Sequence, residues 1–424
     1  MAWERSNSAV VGVVVGLGLV VVGGFAGRPD VAVLGAAPVV AGFWDWQRRP
    51  SRRPSVRVEA SPDPPAAGTL TVRAQITSPS GAVLVGVRRG LRDLAEVLVA
   101  VDGSRALTVS VHTVRTGPQE VAVVDLQGVG PGAASVSEAS APASRTALVL
   151  PSTRPLGELP LPPRLRGLTG AHESRRPGEG GGLRDVHPFS PGDRLRRIDW
   201  RVTARRAPDL HELYVRREHA LAEAVVMLVV DSRDEVGPDP MTWRGSVPPR
   251  PQDPTSLDLA RHAAASVAEG FLGAGDRVGL DDLGIVRRPL PPGGGRRQLS
   301  RIRHALALTH PEGEPLRRLR PPQIPSGALV LVFSTFLDDE AAQVAAIWRR
   351  AGHRVVAVDV LPTVREAHLA DRERLALRLI RIAREDRLAG LTDQDVELVA
   401  WRDAPSVALA GLARRVQRRA GASR

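Results

Sequence analysis

Ala224-Val-Val-Met-Leu-Val-Val230 is seven apolar residues in a row, followed at once by Asp231-Ser-Arg-Asp-Glu235. A short run without polar alternation suits a strand covered on both faces, as in a parallel sheet. The chain beyond it repeats this theme. Leu257–Leu272 has the spacing of an amphipathic helix, and Arg277-Val-Gly-Leu opens another strand. Leu299–Leu308 reads as helix, Ala328–Phe333 as strand, Ala341–Arg350 as helix and Arg354–Val360 as strand. A long arginine-rich helix over about Arg365–Leu388 and a short β/α tail follow. Strands alternating with helices of this length predict a doubly wound α/β domain over 220–424.

Composition narrows the chemistry. The 424 residues contain no cysteine and no lysine, so all 58 basic residues are arginine, and the net charge is +12. Disulfides, thiolate nucleophiles, Cys-ligated zinc, Schiff-base lysines and the P-loop lysine are excluded. Abundant Arg, Gly, Pro, Ala and Val point to GC-rich coding, which discounts the basic charge as a sign of nucleic-acid binding. Only 3% of residues are aromatic, too few for base-stacking platforms.

Toward the N-terminus, Ala9–Ala26 is uninterruptedly apolar apart from glycine; with Ser8 it makes 19 residues. As a helix that is about 28 Å, close to the hydrocarbon thickness. After Gly27-Arg-Pro-Asp30, Val31–Trp44 is a second apolar run that Trp46 extends to the interface. Arg48, Arg49, Arg52 and Arg53 would hold that end in the cytoplasm. The expectation is a transmembrane helix hairpin, spans 8–26 and 31–46, in a multi-pass cell-membrane protein whose bulk is cytoplasmic. The alternative is a cleaved signal peptide ending near Ala26. Gly12, Gly16, Gly18, Gly23 and Gly24 offer close-packing positions for a partner helix.

Residues 48–65 read as a Pro/Arg linker, and 66–150 as a small β-sandwich of short alternating runs. Ser78-Pro-Ser-Gly, Asp102-Gly and Gly130-Pro-Gly separate those runs. No catalytic constellation shows there.

Region 151–219 holds the densest motif, Phe189-Ser-Pro-Gly-Asp-Arg-Leu-Arg-Arg-Ile-Asp-Trp-Arg-Val-Thr-Ala-Arg205. Ser190-Pro191-Gly192-Asp193 has turn chemistry. Asp193 is expected to cap a short helix, with Leu195, Ile198 and Val202 facing the core at helical spacing. Asp199 falls among Arg196, Arg197 and Arg201, where charge pairing is expected, and Trp200 offers a large apolar plate. This stretch resembles the signature of the bacterial family called domain of unknown function 58. The matching positions are Phe189, Pro191, Gly192, Asp193, Arg197, Ile198, Asp199, Trp200, Thr203, Ala204 and Arg205. Gly180–Arg184 upstream and Glu218 downstream fit the same pattern.

The resemblance implies a von Willebrand factor A-like C-terminal half. It also implies association with a MoxR-type AAA ATPase and a role in protein assembly or maturation at the membrane. Such a domain can hold Mg²⁺ through Asp-x-Ser-x-Ser, a threonine and a further aspartate. Here Asp231 is in place, but Arg233 and Glu235 stand at the serine positions and Thr335 at the aspartate. The second loop, Pro292-Gly-Gly-Gly-Arg-Arg297, lacks the threonine. An arginine inside the loop repels a divalent cation and can itself pair with Asp231. A different carboxylate cluster from Asp234, Glu235, Asp281 and Asp282 is the alternative to solvated loop acids, and Gly237–Pro254 is a proline-rich insertion at the same edge.

The expectation is therefore a non-enzymatic interaction protein with no cofactor and no metal. It would bind an AAA ATPase or membrane client and the lipid bilayer through 8–46, and no nucleic acid. Two alternatives remain: a divalent-metal-dependent ligand-binding or hydrolytic protein, and a nucleic-acid or acidic-ligand binder. Arg164–His219 has 13 arginines against 8 acids, which favours ion pairing over a nucleic-acid stripe. With His187, Asp185 and Asp193 as acid–base groups and Ser190 as nucleophile, nothing in the spacing sets a base beside the serine, and no Gly-x-Ser-x-Gly elbow occurs. Gly293-Gly-Gly295 reads as a flexible turn. Arg414, Arg415, Arg418 and Arg419 share one helix face that could meet anionic lipid, although a solvated helix end is the plainer account.

Overall fold

The computed structural model describes residues 3–61, 69–79, 81–89, 93–101, 103–167, 170–244, 247–285, 288–312 and 323–422. The turns read at Ser78–Gly81 and Asp102-Gly103 and the end of the 48–65 stretch fall partly outside them, and the side chains of Arg418 and Arg419 do so too. The fold is mixed α/β, in two units: residues 1–114 with 118–148, and 115–117 with 149–424.

The first unit begins with strand β1 (Trp3–Arg5) and helices α1 (Asn7–Phe25) and α2 (Pro29–Gln47). Ser6 caps α1 by accepting from Ala9 N at 3.1 Å. Gly27, at φ +65°, makes the reversal, and Pro29 starts α2 where no N–H is needed. The two helices run antiparallel in close contact. A Cβ on Gly16 would lie 2.7 Å from Gly35 O, and one on Gly35 would overlap Gly16 O. Gly23 is equally tight against Ala32, whereas Gly12, Gly18 and Gly24 meet nothing. Glycine at these crossing positions lets the backbones approach.

Only α1 is long and apolar enough to cross a membrane among the described residues. The expected second span, 31–46, falls short of that test. Asp30, Pro38 and Asp45 dilute α2, and its two tryptophans add little hydropathy. Its surface is nonetheless apolar: Val33, Leu34, Val40 and Phe43 are exposed, as are Val11, Val14, Val22 and Phe25 of α1. Arginines stack on tryptophans where the pair meets the rest of the unit, Arg48 over Trp44 at 4.4 Å and Arg5 over Trp46 at 5.1 Å.

The strands of this unit are β2 (Ser55–Ala60), β3 (Thr69–Ser78), β4 (Ala82–Arg89), β5 (Asp93–Ala100), β6 (Gly103–His112), β7 (Gly117–Val129), β8 (Ser135–Ser137) and β9 (Ala143–Val149). One sheet has the order β1-β8-β7-β4-β5 with β9 on β7, and a second has β2-β3-β6. Ala74 and Ile76 from the second sheet share a core with Val83, Val85, Val124 and Leu126 from the first. β2 lies inside the stretch read as a linker: Val56 and Val58 alternate with Arg57 and Glu59 and pack against that core.

In the second unit a long antiparallel arm, β10 (His172–Pro188) and β11 (Tyr214–Ala222), carries the short helix α3 (Trp200–Arg206) in its connection. The sheet follows: β12 (Val225–Val230), α4 (Ser256–Gly273), β13 (Arg277–Asp282), β14 (Leu290–Gly293), α5 (Gly295–Ala307), β15 (Leu329–Ser334), α6 (Glu340–Arg350), β16 (Arg354–Asp359), α7 (Asp371–Asp393), β17 (Glu397–Ala400) and α8 (Pro405–Ala422). Strand order is β14-β13-β12-β15-β16-β17, parallel except for β14. The apolar strands are buried on both faces because helices cover both. Val226, Leu228 and Val230 join α4 residues Leu257, Ala264 and Phe271 on one side. Val229, Val330 and Val332 join α6 residues Val344 and Trp348 on the other. α4 starts with a reciprocal box, Thr255 N donating to Asp258 Oδ2 at 2.9 Å and Asp258 N to Thr255 Oγ1 at 3.3 Å.

Replacing Gly16 or Gly35 by leucine should separate α1 from α2. Paired cysteines at Val13 and Gly42, which touch across the two helices, would crosslink in the parent chain and lose that crosslink in the leucine variants. Gly18→Leu should leave it intact.

Candidate functional site

In a parallel sheet every strand delivers its last residues to one edge, so side chains distant in sequence converge there. Asp231 follows β12 directly, β13 ends in Asp281 and Asp282, β15 in Ser334 with Thr335 next, and β16 in Asp359. Asp231 is almost wholly buried and accepts from Ser334 Oγ at 2.7 Å.

The centre of this edge is a guanidinium. Arg233 Nε and Nη2 donate to the two oxygens of Asp231, each at 2.8 Å. Nη2 also donates to Asp338 Oδ1 at 2.9 Å, and Nη1 to Asp338 Oδ2 at 2.6 Å and Glu340 Oε2 at 3.1 Å. These five bonds match the five N–H groups of an arginine, and the side chain is only 5% exposed. Burial works against its charge, but hydrogen bonding and attraction from Asp231 and Asp338 outweigh that and hold it above its ordinary pKa. Asp234 stands beside it and accepts from Thr335 Oγ1 at 3.0 Å. Burial, then repulsion from Asp231, pushes its carboxyl up to about 7.

Other arginines repeat this pattern around the edge. Arg384 of α7 donates to Thr335 O at 2.7 Å and pairs with Asp359 at 2.5 Å. Arg115 pairs with Asp258 at 2.7 Å and with Glu235, which also accepts from Thr255 Oγ1 at 2.7 Å. Thr116 Oγ1 donates to Asp258 Oδ1 at 2.7 Å, and Arg261 donates to Thr116 O at 2.9 Å. Ser232 Oγ donates to Asp282 Oδ1 at 2.6 Å. A divalent cation wants free oxygen ligands. The oxygens of Asp231, the first of them, are committed to Arg233 and Ser334, so these residues do not fit a cation cage. Among the described residues no group of three His, Asp or Glu side chains is arranged to hold a metal.

The structure brings Asp231, Arg233, Asp234 and Thr335 together as one cluster. Glu235 turns toward Thr255 and Arg115, and Asp281 and Asp282 sit at the next strand. Asp338, Glu340, Arg384 and Arg115 are participants that sequence reasoning missed. The acids of Asp338-Asp339-Glu340 directly after a buried strand are a signal for the first two. Nothing in the sequence marks the arginines among 58 of their kind.

The signature residues form a separate group on the arm. The arm is rooted at the opposite, amino edge of the sheet, where His172 Nε2 lies 3.0 Å from Asp276 Oδ2 and Asp276 Oδ1 accepts from Ala224 N at 2.7 Å. Ser190–Asp193 is a turn closed twice, by Asp193 N to Ser190 O at 3.0 Å and Ser190 N to Asp193 Oδ2 at 2.9 Å. Gly192 has φ +102°, which explains glycine there. The Ser190 N–H, helped by Arg217 and His187, holds the Asp193 carboxyl below its usual range.

Two expectations fail here. Asp193 closes its own turn and caps no helix; the cap of α3 is Asp199, accepting from Val202 N at 3.0 Å. Leu195, Ile198 and Val202 do not share a helix either. Leu195–Arg197 is a single 3₁₀ turn, and Ile198 bridges Val215 of β11, so the helix begins only at Trp200. Leu195 is 68% and Trp200 61% exposed, so neither faces the core. Thr203 is buried and accepts from Tyr214 N at 3.0 Å, tying α3 to β11, while Ala204 and Arg205 are exposed. Phe189 N donates to Leu213 O at 2.7 Å, and Pro191 is exposed in the turn. Arg197 Nη2 donates to Gly178 O at 3.3 Å and, with Arg184, Arg194, Arg217, Asp193 and Glu218, lines an open cleft. Here 185–205 makes a polar cleft beside exposed apolar side chains.

A family model described as "Protein of unknown function DUF58" matches residues 185–380, from the arm through the sheet's carboxyl edge into α7. Neither the curated proteins nor the solved structures give a match.

Arg233→Leu leaves Asp231 buried beside Asp338 and Glu340 without its cation. Thermal or urea unfolding should show a loss of about 3–5 kcal/mol. Asp234, whose folded pKa lies above its unfolded value, costs the native state stability as pH rises through about 4 to 7. Asp234→Asn should flatten that decline, measured as Tm against pH, and gain over the parent at pH 8 but not at pH 4.

Proposed function

Residues 185–380 belong to the DUF58 family, and from that premise we propose a membrane-anchored, non-enzymatic protein-interaction or assembly factor. Its α/β domain is von Willebrand A-like, and it works with a MoxR-type AAA ATPase on membrane or envelope proteins.

The observation that carries this reading is the saturated Arg233. Where a metal-dependent relative would present an unfilled cation to its ligand or to water, this chain presents a finished ion cluster. A guanidinium with all five N–H groups already engaged has none left to give a ligand; it fixes loops in place. Elsewhere on the edge Arg384 pairs with Asp359, Arg115 with Glu235 and Asp258, and Arg261 with Asp258. That also speaks against a basic stripe for nucleic acid, whose arginines must reach phosphates.

The partner surface we assign to the signature. Trp200 and Leu195 are large apolar groups held in the open beside an arginine-lined cleft, and exposed tryptophan beside arginine is the composition of binding hot spots. Anchoring we assign to α1, with α2 packed against it inside the bilayer. The outward apolar faces of both helices support this, as do Arg48 and Arg49 stacked on Trp44 and Trp46. We assign the bulk of the chain to the cytoplasmic side, a reading those arginines support.

Full-length chain in detergent should retain a purified MoxR-type ATPase from the same cell. Trp200→Ala and Leu195→Ala, at exposed positions, should weaken retention at least about tenfold while leaving Tm unchanged. Equal retention by these variants would contradict the assigned surface, and no retention by the parent would contradict the partner.

A further inference from the structure

α7 is a two-sided helix, and only one side has a place in the domain. Leu377, Arg384 and Leu391 are buried, with Leu391 packing in the core beneath α6. On the opposite side Leu375, Leu379 and Ile382 are 59%, 61% and 46% exposed. Their spacing of four and then three residues stacks them on one face, the seam pattern of a helix that packs on another helix. Ala376, Ala383 and Ala389 are exposed beside them and leave room for close approach.

Charge along this seam identifies the occupant. Arg372 and Arg378 flank its first half, and Glu385 and Asp386 its second; all four are exposed. The other acids at the start of α7 are engaged locally, Asp371 with Arg374 and Glu373 with the Ala370 N–H. The face is thus basic at one end, apolar in the middle and acidic at the other. A second copy laid antiparallel puts Arg372 and Arg378 of each helix against Glu385 and Asp386 of the other, at both ends. A parallel copy sets like charge on like. An isologous twofold contact needs a patch complementary to itself, and this one is.

We propose that α7 is a homodimerisation helix, pairing antiparallel with α7 of a second copy about a twofold axis near Leu379–Ile382. The chain contains no cysteine, so single cysteines report the pairing cleanly. Full-length protein in detergent carrying Leu379→Cys, close to the axis, should crosslink to itself with a short bis-maleimide. Arg372→Cys alone should not, but a mixture of Arg372→Cys and Asp386→Cys chains should. Adding Ile382→Asp should cut each crosslink at least tenfold without lowering Tm. Arg378→Glu should weaken crosslinking at position 379, and Arg378→Glu with Glu385→Arg should restore it. No crosslink at any of these sites would overturn the proposal and give the stripe to lipid or to another protein. Self-crosslinking of Arg372→Cys as strong as that at 379 would overturn the antiparallel arrangement.

Discussion

The carboxyl edge of a parallel sheet collects charge because several strands end there together, and in this chain that charge is held by arginine. Asp231 is buried at the end of the central strand, and a buried carboxylate must be compensated. Arg233 does so from only two residues away, then reaches across to Asp338 and Glu340 on the segment after β15. One side chain thereby ties the loop after β12 to the start of α6. Arg384 and Arg115 extend the same device to Asp359 and Asp258. Guanidinium suits this work better than ammonium would, because its planar fork satisfies carboxylates two atoms at a time.

This constraint separates the edge from the arm. At the edge Asp231, Asp258 and Asp359 are each paired with an arginine. The arm's signature is built with similar polar economy, through the Ser190–Asp193 turn, the Asp199 cap and the Thr203–Tyr214 bond, but it leaves Leu195 and Trp200 in the open. Several of the motif's most distinctive residues therefore have structural duties, whereas Leu195 and Trp200 stand in the open.

The α/β part was legible because burial on both faces removes polar alternation from a strand. Ala224–Val230 appears as β12 and Ala328–Phe333 as β15, each within one residue at either end. Helix α7 begins six residues later than its arginine-rich pattern suggests, since Arg365 N donates to Pro238 O and a turn from Glu366 O to Leu369 N holds the start of that stretch outside it. Around the signature the apolar spacing misled: Leu195, Ile198 and Val202 have helical period, but the pairing of Ile198 with Val215 interrupts the helix. Arg57 and Glu59 made β2 look like linker, although alternation with Val56 and Val58 marks an exposed-face strand. At the edge, Asp231 and Arg233 were readable as a pair from their spacing. Arg384 and Arg115 were not, because only the fold brings them there.

That Arg233, and no divalent cation, compensates Asp231 is tested most directly by titrating Mg²⁺ and Mn²⁺ into the full-length chain in a calorimeter. The account predicts no saturable heat for either ion. Stoichiometric micromolar binding that disappears in Asp231→Asn would contradict it.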